Sequence, residues 1–192
     1  MKKSTIIIAV LAIIAIWAVS AYNGMVGIQE EATNAAANVQ SAYQRRADLI
    51  PNLVETVKGY AAHEENTFKE VTEARAKATQ MTIDPSNCTP EQLQAFQEAQ
   101  GQLGAALGKL LAVSENYPEL KANEQFMDLQ KQLEGTENRI NEARNKFNAV
   151  VTEYNKQIRS FPKNIFASIF GFRTMEKFAA DAAAQNAPSV KF

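Results

Sequence analysis

Two short strings hold most of the groups in this sequence that could do chemistry. Arg45, Arg46, Asp48 and Glu55 stand close together in one, and Glu137, Asn138 and Arg139 form the other. On a helix, Asp48 and Glu55 share a face, and Arg45 and Asp48 are i,i+3 neighbours. Arginines meeting carboxylates across helices fix the helix register through charge-assisted hydrogen bonds. The same groups also suit a polar ligand or partner. Catalysis has less behind it. His63 is the only histidine, and His63-Glu64-Glu65 lacks the second histidine one turn away that a helical zinc site needs. His63 is expected to be exposed or at the end of the core. Gly101-Gln102-Leu103-Gly104 is an interior helix pattern and not a phosphate-cradling loop, and no nucleophile elbow occurs. Carboxylate chemistry at Glu55, Glu64 or Glu137 has no support in the spacing. The expectation is no catalytic, cofactor-binding or metal-ligating residue. The seven residues of the two strings then form a structural polar network.

The elements that would position them begin with residues 5 to 22, TIIIAVLAIIAIWAVSAY, which carry no charge, proline or glycine. As a helix this run reaches roughly 27 Å, close to the hydrocarbon thickness of a bilayer. Lys2 and Lys3 precede it, and Glu30 and Glu31 are the first charges after it. That asymmetry keeps the N-terminus in the cytoplasm and sends the body across the membrane, with Trp17 and Tyr22 at the far interface. A cleaved signal peptide is the competing reading, with Val19-Ser20-Ala21 as its cleavage site. Both place the body outside the cytoplasm.

With Lys2 and Lys3 set apart, the remainder carries 18 basic against 21 acidic residues. That balance gives nucleic acid no basic face to meet and no polybasic lipid-binding patch. Cys88 is the only cysteine, so no intrachain disulfide can form. It lies in a loop, either as an incidental residue or as one that forms an intermolecular disulfide or serves as a reactive thiol. Helix formers dominate, and no alternating strand pattern appears.

Val39, Tyr43, Ala47, Ile50, Val54, Val57 and Ala61 make one helical stripe across Pro51. The spacing predicts a continuous helix, kinked near residues 47 to 51, running from the membrane to about Thr79, with a break possible near Gly24 to Gly27. Thr89-Pro90-Glu91-Gln92 predicts a capped restart, and a second helix over Pro90 to Val113. Gly101, Gly104 and Gly108 suggest close backbone approach. Pro118 is expected to open the third helix. There Phe126, Leu133, Ile140, Phe147, Tyr154 and Phe161 recur by sevens, with Leu129, Thr136, Ala143 and Val150 three later. This seam suits an antiparallel bundle or coiled coil. A short apolar helix should follow Pro162. Its Ile165, Phe166, Ile169, Phe170 and Phe172 either cap the bundle or touch a membrane or partner.

The string Arg45-Arg46-Ala47-Asp48-Leu49-Ile50-Pro51-Asn52-Leu53-Val54-Glu55-Thr56-Val57-Lys58-Gly59-Tyr60 resembles the LemA family. The match continues at Leu110 to Asn123, at Leu129 to Ile140, and at Tyr154-Asn155 and Phe161-Pro162. It covers nearly the whole chain and fades between residues 80 and 95 and in the last dozen residues. The resemblance implies an antiparallel helical bundle on a single membrane span. It supplies no catalytic residues and no cofactor.

The expected molecule is all-α: an elongated antiparallel bundle of three long helices plus a short C-terminal helix, on one N-terminal transmembrane helix. Residues 1–4 form a cytoplasmic N-terminus, 5–22 the anchor, 23–178 the bundle and 179–192 a flexible tail. As a function, a non-enzymatic scaffold or interaction module of the bacterial inner membrane is expected. Its partners are the membrane and either further copies or an unknown protein. A ligand-binding or sensor module, whose mark would be a polar cavity near Arg46 and Glu137, is one alternative. A membrane-contacting or remodelling oligomer is the other.

Overall fold

The computed structural model describes residues 3–179. Met1, Lys2 and all of the expected tail beyond Ala179 lie outside the described residues. Within them the chain is 82% helical and has no strands.

α1 (Lys3–Lys58) is one helix of 56 residues, about 84 Å long. It passes Gly24 and Gly27 without interruption, so the break considered there does not occur. Its first part is bare. Ile16 is 72% exposed, whereas Met25, two turns on, is fully buried. The helix therefore changes surroundings just past Tyr22, where the apolar run ends.

The first helix does not continue to Thr79. It stops at Lys58, and Gly59 to Glu64 turn the chain back into α2 (Glu65–Thr79). Periodicity cannot see this reversal. Ala61, Phe68, Val71 and Ala78 keep steps of seven and three through the turn, and all four are buried. α3 (Pro90–Val113) starts as its sequence requires: Gln92 N donates to Thr89 Oγ1 at 3.2 Å, and Thr89 N donates to Gln92 Oε1 at 2.9 Å. Gly101, Gly104 and Gly108 have open space where a Cβ would sit, so close backbone approach does not account for them.

Pro118 opens only a single turn, α4 (Pro118–Lys121). The long helix α5 (Glu124–Arg159) begins after Asn123, whose side chain accepts from Phe126 N at 2.9 Å. Asn123 also donates to Tyr60 Oη, tying this cap to the α1–α2 turn. α5 packs antiparallel along most of α1. Its large seam residues Ile140, Phe147, Val151 and Tyr154 sit against small ones on α1, Ala32, Ala35, Ala36 and Val39. α2 and α3 form an antiparallel pair covering the distal half of α1. The seam ends before Phe161, which is 81% exposed beyond the helix.

α6 (Lys163–Phe170) is the expected short helix. Gly171 closes it in the left-handed region, φ 78°, and Phe172 N donates back to Ala167 O at 2.9 Å. From there residues 172 to 179 return along α5 as an extended strap. Asn155 Nδ2 donates to Met175 O, and Met175 N donates to Asn155 Oδ1. Asn148, two turns below, repeats the exchange with Phe178. Seven helical residues and three extended ones both span about 10 Å, so two asparagines one heptad apart match an extended peptide. Met175 and Phe178 are buried beneath it.

Each strap hydrogen bond contributes roughly 0.5–1.5 kcal/mol. Asn148→Ala with Asn155→Ala should therefore free the strap while α5 stays folded. Limited trypsin digestion after Lys177 should speed up by about tenfold or more, and an unchanged rate would show that the strap is held by its buried side chains and its bonds from Tyr154 and Arg144, not by the asparagines.

Candidate functional site

Arg46 is the one charged side chain among the buried residues described. A buried guanidinium needs partners on several sides; two further helices supply them directly, and a third is joined through one of those partners. Arg46 Nη1 donates to Glu137 Oε2 on α5 at 3.0 Å. Nη2 donates to Gln100 on α3, at 2.8 Å to its side-chain Oε1 and 3.2 Å to its carbonyl oxygen. Gln100 Nε2 in turn donates to Ala78 O in the last turn of α2, at 3.2 Å. The Tyr43 ring lies 5.2 Å from the guanidinium carbon. Arg46 Nε has no protein acceptor.

This layer stands between two apolar clusters. One runs from Met25 to Tyr43 with the proximal part of α5 and the strap. The other gathers Ile50 to Val57, α2, the distal half of α3 and the start of α5. A one-turn slip of α1 against α3 and α5 would take the Arg46 guanidinium away from Glu137 and Gln100 and leave it among hydrocarbon.

Of the seven residues expected to form a polar network, the structure brings Arg46 and Glu137 together. Arg45, Asp48, Glu55, Asn138 and Arg139 are exposed. Asp48 accepts from Gln44 Nε2 at 2.7 Å, and Glu55 pairs with Lys58 at 3.0 Å, both on the surface of α1. Two members escaped sequence reasoning. Gln100 carries no charge to flag it. Arg75 Nε on α2 donates to Ala47 O at 2.8 Å. That carbonyl is the one Pro51 leaves free, because proline has no N–H to give it. Pro51 was the available signal, since the carbonyl four residues earlier had to find a donor.

The cavity described beside the layer, lined by Tyr43, Ala47 and Gln100, measures about 20 Å³. That is room for a water molecule and not for an organic ligand. His63 is exposed in the α1–α2 turn. Among the described residues no three His, Cys, Asp or Glu side chains stand where they could hold a metal ion. Cys88 is half-buried, and its thiol is pushed up first by burial and then by Asp84 and Glu176. It is a poor nucleophile at neutral pH.

The second set of candidate residues lies at the opposite end. α6 packs on α1 where the apolar run finishes. Phe166 meets Trp17 edge-on at 5.3 Å, while Phe170 and Phe172 meet Tyr22 at 5.0 and 5.8 Å. Ala167 is buried against the bundle, whereas Ile165, Ile169 and Phe170 remain half or more exposed.

The model of the LemA family matches residues 35–192. Magnetosome protein MamQ of Magnetospirillum gryphiswaldense is 29% identical over 174 residues, 82% of this chain and 64% of that protein. MamQ 2 of Paramagnetospirillum magneticum is 30% identical over 191 residues, 90% of this chain and 70% of that protein. Protein LemA of Metamycoplasma hominis is 25% identical over 145 residues, covering 76% and 63%. The chain thus spans about two thirds of the length of these relatives.

Truncating Arg46 to alanine should cost about 3–5 kcal/mol, because the Gln100 and Ala78 groups lose their buried organiser. Truncating Glu137, whose side chain is 52% exposed, should cost about 1 kcal/mol or less. Urea unfolding of the two variants measures the asymmetry, and equal costs would mean that the carboxylate and not Gln100 holds the arginine.

Proposed function

The chain belongs to the LemA family, and on that basis we propose that it is a non-enzymatic scaffold or interaction module of the bacterial envelope, tethered to the cytoplasmic membrane by α1. The observation that carries this reading is the continuity of α1. One helix supplies both the apolar, exposed run and the central strand of packing in the bundle. A body joined in this way holds a fixed height and tilt above the bilayer, which a binding platform needs and a freely tethered catalyst does not.

Three further observations support it. The one buried charge among the described residues is engaged in holding helices together, and the cavity described beside it has room for no more than a water molecule. Trp17 packs on Phe166 and Ala21 is buried before the candidate cleavage point, and Tyr22 packs on Phe170 after it, so residues on both sides belong to the folded body. This favours an anchor that is kept. Lys3 before the span and Glu30 and Glu31 after it favour a body outside the cytoplasm. Confinement to a plane raises the local concentration of copies and favours self-association through the helix faces.

The test is the mass of the full-length protein extracted from membranes in mild detergent, by light scattering corrected for the detergent. The expected result is a defined multiple of 21.2 kDa with residues 1–21 retained. A monomer that keeps its anchor would remove self-association and leave a separate protein partner. A chain lighter by its first 21 residues would overturn the anchored reading.

A further inference from the structure

The contacts of α6 with Trp17 and Tyr22 fix its depth. Trp17 lies five residues, about 7.5 Å, below Tyr22 along α1. Resting on the anchored reading, a bilayer that solvates the apolar run must therefore also meet α6. The exposed side of α6 suits that position. Ile165 is 50% and Ile169 70% exposed, and Phe161 at the α5–α6 elbow is 81% exposed. Ile165 and Ile169, four apart on α6, share one face of that helix, and Phe161 is exposed in the turn that leads into it. In water such a face is a liability; next to a membrane span it continues the same apolar surface.

Charge points the same way. The chain as a whole leans acidic, which hides a local reversal. Between Glu153 and Glu176 it holds Lys156, Arg159, Lys163 and Arg173 and no acidic residue. Lys156 pairs with Glu153, and Lys163 donates to Gln157, while the exposed Arg159 and Arg173 stand at the two ends of the elbow and α6. Just above the aromatic contacts lies a cavity of about 430 Å³. Tyr22 and Phe170 are among its lining residues, and Gln29, Ser86, Asn87 and Arg173 supply polar groups. Its size is that of a small-molecule site. Its position, one turn past the end of the apolar run, is the level of phospholipid headgroups.

We propose that the α5–α6 elbow is a second membrane contact that binds an anionic phospholipid, with acyl chains along Ile165 and Ile169 and the headgroup phosphate at Arg173 in the cavity above Tyr22. The apolar face, the uninterrupted run of cations and the polar cavity follow one another in the order hydrocarbon, interface, headgroup. The protein thus grips the bilayer at two points, and the span cannot rotate freely about its axis.

The test uses the full chain in nanodiscs of phosphatidylcholine with or without phosphatidylglycerol. In a Cys88→Ser background, a bimane label at Ile169→Cys should be quenched by doxyl-labelled phospholipid, and one at Lys131→Cys at the far end of α5 should not. After mild detergent extraction, native mass spectrometry should find phosphatidylglycerol retained in preference to phosphatidylcholine. Arg173→Gln should lower that retention about fivefold, the factor for one basic residue at a membrane surface. Arg139→Gln should leave it unchanged. The Arg173 substitution spares the backbone carbonyl that Tyr154 Oη donates to, so the strap keeps that bond. Equal quenching at the two labels, or unchanged lipid retention in Arg173→Gln, would overturn the proposal. So would inorganic phosphate alone raising the Tm in detergent as much as phosphatidylglycerol does, since the ligand would then come from solution. A chain that fails to incorporate into nanodiscs at all would instead sink the anchored reading on which this rests.

Discussion

A single backbone must satisfy two solvents in succession, and the rest of the molecule is arranged around that constraint. In lipid, α1 can only be a helix, because every N–H and C=O must find a partner within the segment. Past Tyr22 the same helix meets protein. Its hydrogen bonds run on without a break, so its faces are fixed relative to the span. Every element that packs on α1 inherits that orientation. Small residues on one face let α5 approach closely, and the bulk missing from α1 is returned by Ile140, Phe147 and Tyr154. The division of size between the two helices sets which face of α1 is covered.

Burial along this frame does not by itself choose a register, since an alanine-rich face accepts several offsets at similar cost. The Arg46 layer makes the choice. Its partners come from α2, α3 and α5, and they meet only in one alignment. Buried ionic groups are weak evidence for stability and better evidence for uniqueness. Here the carboxylate sits at the rim and the amide of Gln100 inside, so the arginine is organised more by neutral oxygens than by its counter-ion. Arg75 plays a related role at Pro51, taking up a carbonyl that helix continuity left over.

Much of this was legible in the sequence, and the misses share a cause. The anchor, the capped start of α3 and the heptads of α5 are signals within one helix, and each was readable from spacing. Reversals of the chain were not. The steps from Ala61 to Phe68, Val71 and Ala78 stay in phase through a turn, so periodicity joined α1 to α2. Likewise Pro118 opens a helix but gives no sign that Asn123 ends it after one turn and starts another. At the polar layer, charge flagged Arg46 and Glu137, yet it flagged Arg45, Asp48, Glu55 and Arg139 on the surface equally. What separates them is which face of a four-helix assembly each occupies, a property of the assembly and not of the string. The strap was invisible for a similar reason: Asn148 and Asn155 read as ordinary polar positions until an extended segment lies across them.

The claim on which this account turns is that the span and the bundle are one rigid helix. Hydrogen exchange of backbone amides over residues 20–36, with the full-length protein in nanodiscs, tests it most directly. Slow exchange at every position, Gly24 and Gly27 included, is the predicted result. Fast exchange confined to Gly24–Gly27, between slow flanks, would reveal a hinge at the membrane surface and contradict the account, since the body would then move independently of its anchor.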